Sequence, residues 1–389
     1  MSMGNKHEKD KIGAPTRTLI LCGVNEGLHQ LACKHCCNFK FYHFANVSEN
    51  EIVIKAAVPR ALDGSIDRSH VVTVILSTEQ SRTCPGAEPT IGSTNASPPD
   101  PLENILGLAR DVRSVCPHAF IVLWHPAATE DAAMRLSAFN AGANMVSCYL
   151  EHLEEVLQKL GSIGSGPMAG SCSCLWCGQC GMTAEELWLH QPLYHIYDAN
   201  RSGRCTACGE EADNLAVHIH EEHYPGGPRR EDRRGLGAAV VVHRRRDNKF
   251  LMVQEFAGQG FWVPGGATDV GESVRRSAER ECFEEAGVKI KLQGLAEVDY
   301  VVCPKTRKPT WSLFVFYATE AIDEASVPKT VPCFESAGAC WVGVDELHKL
   351  PLRSKRVPYT WFPHFAKGKP CKPLAVPEGL EHIYADIQF

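Results

Sequence analysis

No stretch of this chain is apolar over the roughly 20 residues that a bilayer-spanning helix needs, so no membrane role is expected. A secretory leader is not expected either: the N-terminal MSMGNKHEKDK is polar and does not read as a signal peptide. Gly4 is not at the position that myristoylation requires. Basic charge is also short. Lys and Arg number 40 against 46 Asp and Glu, a formal net charge of −6, so there is no overall electrostatic footprint for nucleic acid. Cysteine, by contrast, is plentiful at 18 residues. Many of these are grouped with histidines, which points to metal and a reducing compartment instead of disulfides, and so to cytosol or nucleus. The 389 residues set a prior of two or three domains, and the hydrophobic content of 44% is enough for ordinary cores.

GGATDVGESVRRSAERECFEEAGV, from Gly265 to Val288, raises the sharpest question. Ser273 to Ala286 is rich in helix formers, contains no Pro, and is stopped by Gly287. Helical spacing brings Glu281, Glu284 and Glu285 to one face. Like charges so placed weaken a helix, yet convergent carboxylates are what a hard cation such as Mg²⁺ requires. Arg280 stands beside them and can hold a carboxylate bidentately. Glu272, at the junction of loop and helix, can cap the helix or pair with Arg280.

From Gly266 the stretch reads G-x5-E-x7-R-E-U-x-E-E-x-G-U, with U a bulky aliphatic. This resembles the signature of the Nudix hydrolases. The first U departs from it, being Cys282, and a buried free Cys serves there as a small hydrophobe. The resemblance runs on through GLGAAVVVH, KFLMVQEF, WSLFVFYA and the strand and helix of ESAGACWVGVDELHKLPL. It implies an α+β Nudix domain, an α/β/α sandwich, over 235–389. It also implies hydrolysis of a nucleoside diphosphate linked to some further group, with Mg²⁺ or Mn²⁺. Glu281, Glu284 and Glu285 would hold the metal with the Gly266 carbonyl, and one glutamate would act as general base. Glu335 stands where many relatives place a further acid, with a solvated loop carboxylate as the even alternative. Gly338 occupies the place of a second such Glu.

Substrate is less legible. No NADH-pyrophosphatase tail motif is visible, and Pro304 is a poor marker for ADP-ribose. The overall pattern is most similar to the branch acting on oxidised guanine nucleoside diphosphates. Phe261 and Trp262 are candidates to stack on a base, with core packing at least as good a reading. Lys305, Arg307 and Lys308 could reach extra phosphates from a hairpin turn, or be its solvated tip. Diphosphoinositol phosphates and capped RNA stay open. Set against an active enzyme is a catalytically silent Nudix scaffold that serves as a protein-interaction adaptor.

The middle of the chain, 172–224, contains CGQCGMTAEELWLHQPLYH and CTACGEEADNLAVHIHEEH. Both fit C-x2-C-G-x5-L-x2-H-x4-H with a period of 28. The expected zinc ligands are Cys177, Cys180, His190 and His195, then Cys205, Cys208, His218 and His223. Two Zn²⁺ in closed tetrahedral sites follow. Cys174 could replace one ligand, and His220 is set aside by the repeat. Nine residues separate each Cys pair from its His pair, and neither segment contains Lys or Arg, whereas DNA-reading fingers have about twelve and a basic helix. A structural or protein-docking module is the reading; RNA binding is the less favoured alternative. The basic runs RREDRR and HRRR are read as a solvated linker and a strand-end turn.

Residues 15–160 alternate strand and helix, which implies a doubly wound α/β domain. Its last third, AFNAGANMVSCYLEHLEEVL, is similar to response-regulator receiver domains. The charges of that family are missing: Cys22, Gly23, Val24 and Asn25 follow the first strand, Ser77 and Thr78 end the VVTVIL strand, and Tyr149 falls near the usual Lys. A pseudoreceiver for docking or dimerisation is the expectation. CKHCC at Cys33 to Cys37 is read as core, and about 78–101 as a disordered insertion.

Overall fold

The computed structural model describes residues 17–24, 26–35, 40–44, 71–77, 100–163, 170–196, 198, 201–225, 235–255, 259–305, 309–321, 326–381 and 389. Residues 78–99 of the insertion expected at about 78–101, most of both linkers, the RREDRR run and Arg307 lie outside them, as do Cys36, Cys37 and the Cys33 side chain. The last two residues of that expected insertion are ordered, since Asp100 caps the helix that Pro101 begins.

The N-terminal unit is a parallel sheet of β1 (Arg17–Cys22), β2 (Lys40–Phe44), β3 (Val71–Ser77), β4 (Phe120–Trp124) and β5 (Met145–Ser147), in the order β2-β1-β3-β4-β5. That is a doubly wound, flavodoxin-like order. Helices α1 (Glu26–His35), α2 (Pro101–Val115), α3 (Ala132–Asn140) and α4 (Leu150–Ser162) cover the sheet. Two apolar clusters result, one on each face, which is why β3 and β4 read as continuous apolar runs. At the strand ends, Ser77 is buried and the Tyr149 hydroxyl is 3.1 Å from that of Thr129.

The C-terminal unit is a mixed seven-stranded sheet. Strands β10 (Leu236–Arg244) and β15 (Pro309–Glu320) run parallel at its centre, flanked by β11 (Lys249–Glu255) and β14 (Ile290–Val302). Further strands are β12 (Phe261–Trp262), β13 (Gly265–Ala267) on β10, and β16 (Ser336–Val342) on β11. Here α5 and α6 denote the finger helices Ala184–His195 and Leu215–Glu222. Helix α7 (Val274–Ala286) packs on one face through Val274, Ala278, Cys282 and Ala286, an apolar stripe every fourth residue. Cys282 is fully buried in that stripe. Helix α8 (Arg356–Ala366) covers the other face. The segment expected as the late helix, Val344–Lys349, is a single 3-10 helix.

Between these units the two finger segments, each with a short hairpin (β6, Cys172–Ser173, with β7, Cys180–Met182; β8, Gly203–Arg204, with β9, Glu211–Ala212), share one small core with Phe334. The Ser173 N–H donates to the Thr206 hydroxyl at 3.0 Å, and that hydroxyl donates back to the Ser173 carbonyl at 2.7 Å. Helix α5 is laid against the α/β unit: Leu193 and Ile196 enter its cores, and Tyr194 meets Phe120 edge-on at 5.4 Å. A helix so covered is not open to a major groove.

The α/β and C-terminal units also meet directly. Arg135 is fully buried and donates to the carbonyls of Ala128 (3.0 Å), Val146 (3.1 Å) and, across the interface, Ala337 (3.0 Å). Thr330 is 2.8 Å from both the Ser147 hydroxyl and His152 Nδ1. The HRRR run is a strand-end turn only in part: Arg245 and Arg246 are exposed in the turn, while His243 and Arg244 are buried at the end of β10. Arg244 is 3% exposed, donates to both carboxylate oxygens of Glu130 and also pairs with Asp247. A bidentate partner on a different unit outweighs solvation of that guanidinium.

Arg135→Ala should lower unfolding free energy by roughly 2–5 kcal/mol, since it opens a void and strands three buried carbonyls. Urea denaturation of the full chain checks this; a loss below the lowest of those figures would mean that water replaces the guanidinium.

Candidate active site

Helix α7 starts where the Ser273 hydroxyl accepts from the Arg276 N–H at 3.2 Å and ends at Gly287, whose φ of 72° is the left-handed stop. Ser273 therefore caps the helix, which frees Glu272 for Arg280. The guanidinium is the hub of the site. It donates to Glu272 (3.0 Å), Glu281 (2.9 Å), Glu284 (2.9 Å) and the Ala267 carbonyl (3.0 Å). Asp269 stands 3.8 Å away.

The glycine pair of β13 makes room for the carboxylates. A Cβ on Gly266 would fall 2.5 Å from the Glu281 carboxylate, and one on Gly265 would fall 2.4 Å from the Ala238 carbonyl. The Gly265 N–H donates to Glu285 at 2.8 Å. Glu281 and Glu285 are each 8% exposed. Burial pushes the Glu281 carboxyl up to about 7, helped by Glu284 and Glu335 and opposed by Arg280. Burial, then Glu255, pushes Glu285 well above the usual carboxylate range.

Glu281, Glu284, Glu335 and Gly266 border one cavity of about 520 Å³, inside the range of roughly 300–1,000 Å³ usual for small-molecule sites. Glu335 thus comes to the box from another loop. That loop is braced by the Lys329 ammonium, which donates to Cys333 at 2.9 Å, and by the Glu335 N–H on the same sulfur at 3.4 Å. Trp262 lines the cavity and Phe261 does not: neighbouring strand residues face opposite ways, and Phe261 is fully buried in the core. Lys305 stands exposed in its turn and is absent from the cavity wall.

Wall residues not singled out for this cavity from sequence include Asp269, His220, Trp311, Leu313 and Arg353. Arg353 lies over the Trp262 ring at 5.1 Å and donates to Glu255 at 3.0 Å. Its partners are nearly a hundred residues upstream, so no local pattern marks it.

In the fingers, the ligand atoms of Cys205, Cys208, His218 and His223 lie within 4.8 Å of one another, and so do those of Cys174, Cys177, His190 and His195. Cys180 is not in the first set; it is exposed on β7 (Cys180–Met182). The cause is the sequence CGQCG, with two Cys-Gly pairs in succession. The turn at Cys174–Gly178 matches the turn at Cys205–Gly209. In each, the glycine N–H donates to the first cysteine's carbonyl at 2.8 Å, and that cysteine's N–H donates two residues past the second, also at 2.8 Å. Gly178 and Gly209 both have positive φ, 73° and 81°. The corrected first finger has twelve residues between its Cys and His pairs, 178–189. Two thiols and two imidazoles in this grouping fit zinc. His195 Nδ1 is held by Asp198 at 2.7 Å, the outer-shell carboxylate such ligands commonly have.

A mixed sheet with a carboxylate-bearing helix beside a glycine pair defines the class of this unit. Residues 233–365 match the NUDIX domain family, so the C-terminal unit is a Nudix domain. The chain is 27% identical over 139 residues to an NAD-capped RNA hydrolase, NudC, of Klebsiella pneumoniae, covering 35% of this chain and 47% of that protein. It is 31% identical over 115 residues to the uncharacterized Nudix hydrolase YvcI of Bacillus subtilis, covering 27% and 65%. It is 36% identical over 95 residues to the putative 8-oxo-dGTP diphosphatase 3 of Mycobacterium tuberculosis, covering 24% and 42%. The chain therefore spans about half the length of the first of these relatives, 47%.

The finger geometry predicts that Cys174→Ser loses one of two tightly bound metal ions and Cys180→Ser loses none, as read by metal analysis of the purified chain. The opposite pattern would restore the period-28 register. A second expectation concerns pH. An ordinary Glu titrates near 4.5 and Glu281 near 7, so between these values the folded protein holds a proton the unfolded chain has released. The stability due to the neutral carboxyl is full below the first value and lost as pH rises through the second. Metal-free protein should lose up to roughly 3 kcal/mol from Glu281 across this window. Glu281→Gln should flatten that part of the profile in urea titrations at pH 5 and 8.

Proposed function

We propose that this chain is a divalent-metal-dependent pyrophosphohydrolase acting on a nucleoside diphosphate-linked small molecule, by attack of water on phosphorus. The observation that carries the reading is the meeting of Glu335 with the box glutamates at one cavity. Four acids line it, Asp269, Glu281, Glu284 and Glu335, against two guanidiniums, Arg280 and Arg353. A pyrophosphate would be repelled from such a wall unless cations enter with it. The donors are all oxygens, which fits Mg²⁺ or Mn²⁺. Glu281, Glu284 and Glu285 would hold the ions with the Gly266 carbonyl. When bound, such ions neutralise the phosphate charge and make water a better nucleophile.

The chain's own residues supply the rest. Arg280 keeps Glu272, Glu281 and Glu284 oriented while they are unliganded. Glu335 is placed to take the proton of the attacking water on its carboxylate. A P–O bond of the diphosphate then breaks and the phosphate leaves. Arg353, stacked on Trp262, offers charge and a flat surface to the nucleotide. The name of one relative concerns a small nucleotide, 8-oxo-dGTP, which supports this substrate class, and that of another concerns NAD-capped RNA, which keeps capped RNA in the assay.

Two Zn²⁺ in the Cys₂His₂ sets would be structural, since each set is closed by four protein ligands. The α/β unit, with neutral residues at its strand ends, suits docking or regulation in a pseudoreceiver role. Cytosol or nucleus, where thiols stay reduced, is the compartment that suits these sites.

Glu284→Gln should lower turnover by at least ~100-fold with the fold unchanged by circular dichroism. The assay is Mg²⁺-dependent product release from ADP-ribose, 8-oxo-dGDP, dNTPs, dinucleoside polyphosphates, capped RNA and a diphosphoinositol phosphate. Equal activity of variant and wild type would end the assignment; silence of the wild type on every compound would favour a scaffold.

A further inference from the structure

The second finger helix, α6, carries His218 and His220 and ends at the C-cap residue His223; His218 and His223 belong to the metal set. His220 lies two residues after His218, a rotation of about 200° around the helix, so it faces away from the thiols. That face meets the Nudix domain. The His220 ring stacks on Phe334 with centroids 4.6 Å apart and planes 27° apart. Trp188 of the first finger lies near-parallel to it at 6.3 Å, packs on Phe334 at 5.3 Å, and donates its indole N–H to the His220 carbonyl at 3.3 Å. Phe334 is 9% exposed and directly precedes Glu335. His220 thereby borders the same cavity as Glu281, Glu284, Glu335, Trp262 and Trp311.

We infer that the second zinc finger is a wall of the hydrolase cavity, that His220 contacts the nucleobase of the substrate, and that the wall admits a small nucleotide in preference to RNA. This rests on the hydrolase reading above. The cavity wall carries carboxylates suited to a metal-bound pyrophosphate. The same wall includes three flat side chains, His220, Trp262 and Trp311, against which a planar heterocycle gains stacking energy and excludes water. The finger is a poor path for a polynucleotide: between Cys205 and His223 it has Glu210, Glu211, Asp213, Glu221 and Glu222 and no Lys or Arg. A trailing phosphodiester chain would run past those charges. Helix α6 has only 8 residues, too few to persist alone. Its metal set and the Phe334 contact are what hold His220 at the cavity, so the finger metal positions a substrate-contacting side chain.

The test uses the full chain with its metal content measured. Relative to wild type, His220→Ala should raise KM for ADP-ribose or 8-oxo-dGDP about tenfold, change kcat little, and leave metal content intact. His220→Phe should recover most of the loss. If His220→Ala fails to fold, His220→Leu, which keeps apolar contact with Phe334, takes its place with the same expectation. The dissociation constants of both nucleotides in a Glu284→Gln background should move with KM. Unchanged KM and unchanged dissociation constants would overturn the inference. A capped RNA oligonucleotide cleaved with higher kcat/KM than either nucleotide would overturn its choice of substrate class. Absence of all turnover by the wild type would defeat the hydrolase reading, and binding would then decide the wall: His220-sensitive nucleotide binding upholds it, and insensitive or absent binding removes it.

Discussion

Carboxyl groups buried within a turn of one another repel, and the C-terminal unit is arranged around that repulsion. Glu281 and Glu285 are nearly inaccessible, with Glu255 and Glu335 within electrostatic reach. Arg280 offsets part of the charge by holding Glu272, Glu281 and Glu284 at once. The Gly265 N–H offsets another part at Glu285. Glycine is required at 265 because a Cβ there would strike the Ala238 carbonyl and the Ala239 Cα, and a Cβ on Gly266 would displace the Glu281 carboxylate. Strand β13 can then lie against α7 closely enough for backbone groups to share the site. What remains uncompensated is a negative cavity wall, and this is the physical reason to expect cations there.

That arrangement depends on parts of the chain far outside the box. Glu335 reaches the cavity from the loop before β16, and the residues next to it are gripped by other units. Phe334 is stacked by the second finger, Ala337 accepts from the buried Arg135 of the α/β unit, and Thr330 meets Ser147 and His152. The fingers are therefore mortar between two larger units and not a free appendage. Their aromatic contacts, Trp188 and His220 on Phe334, fall on the side turned from the ligand atoms.

The two Cys/His sets show where one-dimensional reading fails. CGQCG presents two equally spaced candidates, and a repeat aligned on Leu187 and Leu215 selects Cys180. In space the choice is made by the knuckle turn, whose backbone hydrogen bonds and left-handed glycine recur at Gly178 and Gly209. Gly181 also has a positive φ, 82°, but it follows an exposed Cys180. Likewise, Arg244 is not told apart in sequence from the exposed turn residues Arg245 and Arg246, because its partner Glu130 lies more than a hundred residues earlier.

The helix of the box, its stop at Gly287 and the shared face of Glu281, Glu284 and Glu285 were determined by the sequence alone. So was the alternation of strand and helix in the first unit. These depend on neighbours within about two turns or one strand, where spacing dictates geometry. The structure chose Ser273 as the cap and so settled Glu272, open between capping and pairing, on Arg280. Only the tertiary structure decided that Cys174 displaces Cys180, that Trp262 faces the cavity while Phe261 is core, that Arg353 and Trp311 join the wall, and that His220 of a finger lines the same cavity. Each of those placements is made by a partner distant in the chain, and packing brings such partners together without leaving a local pattern to read.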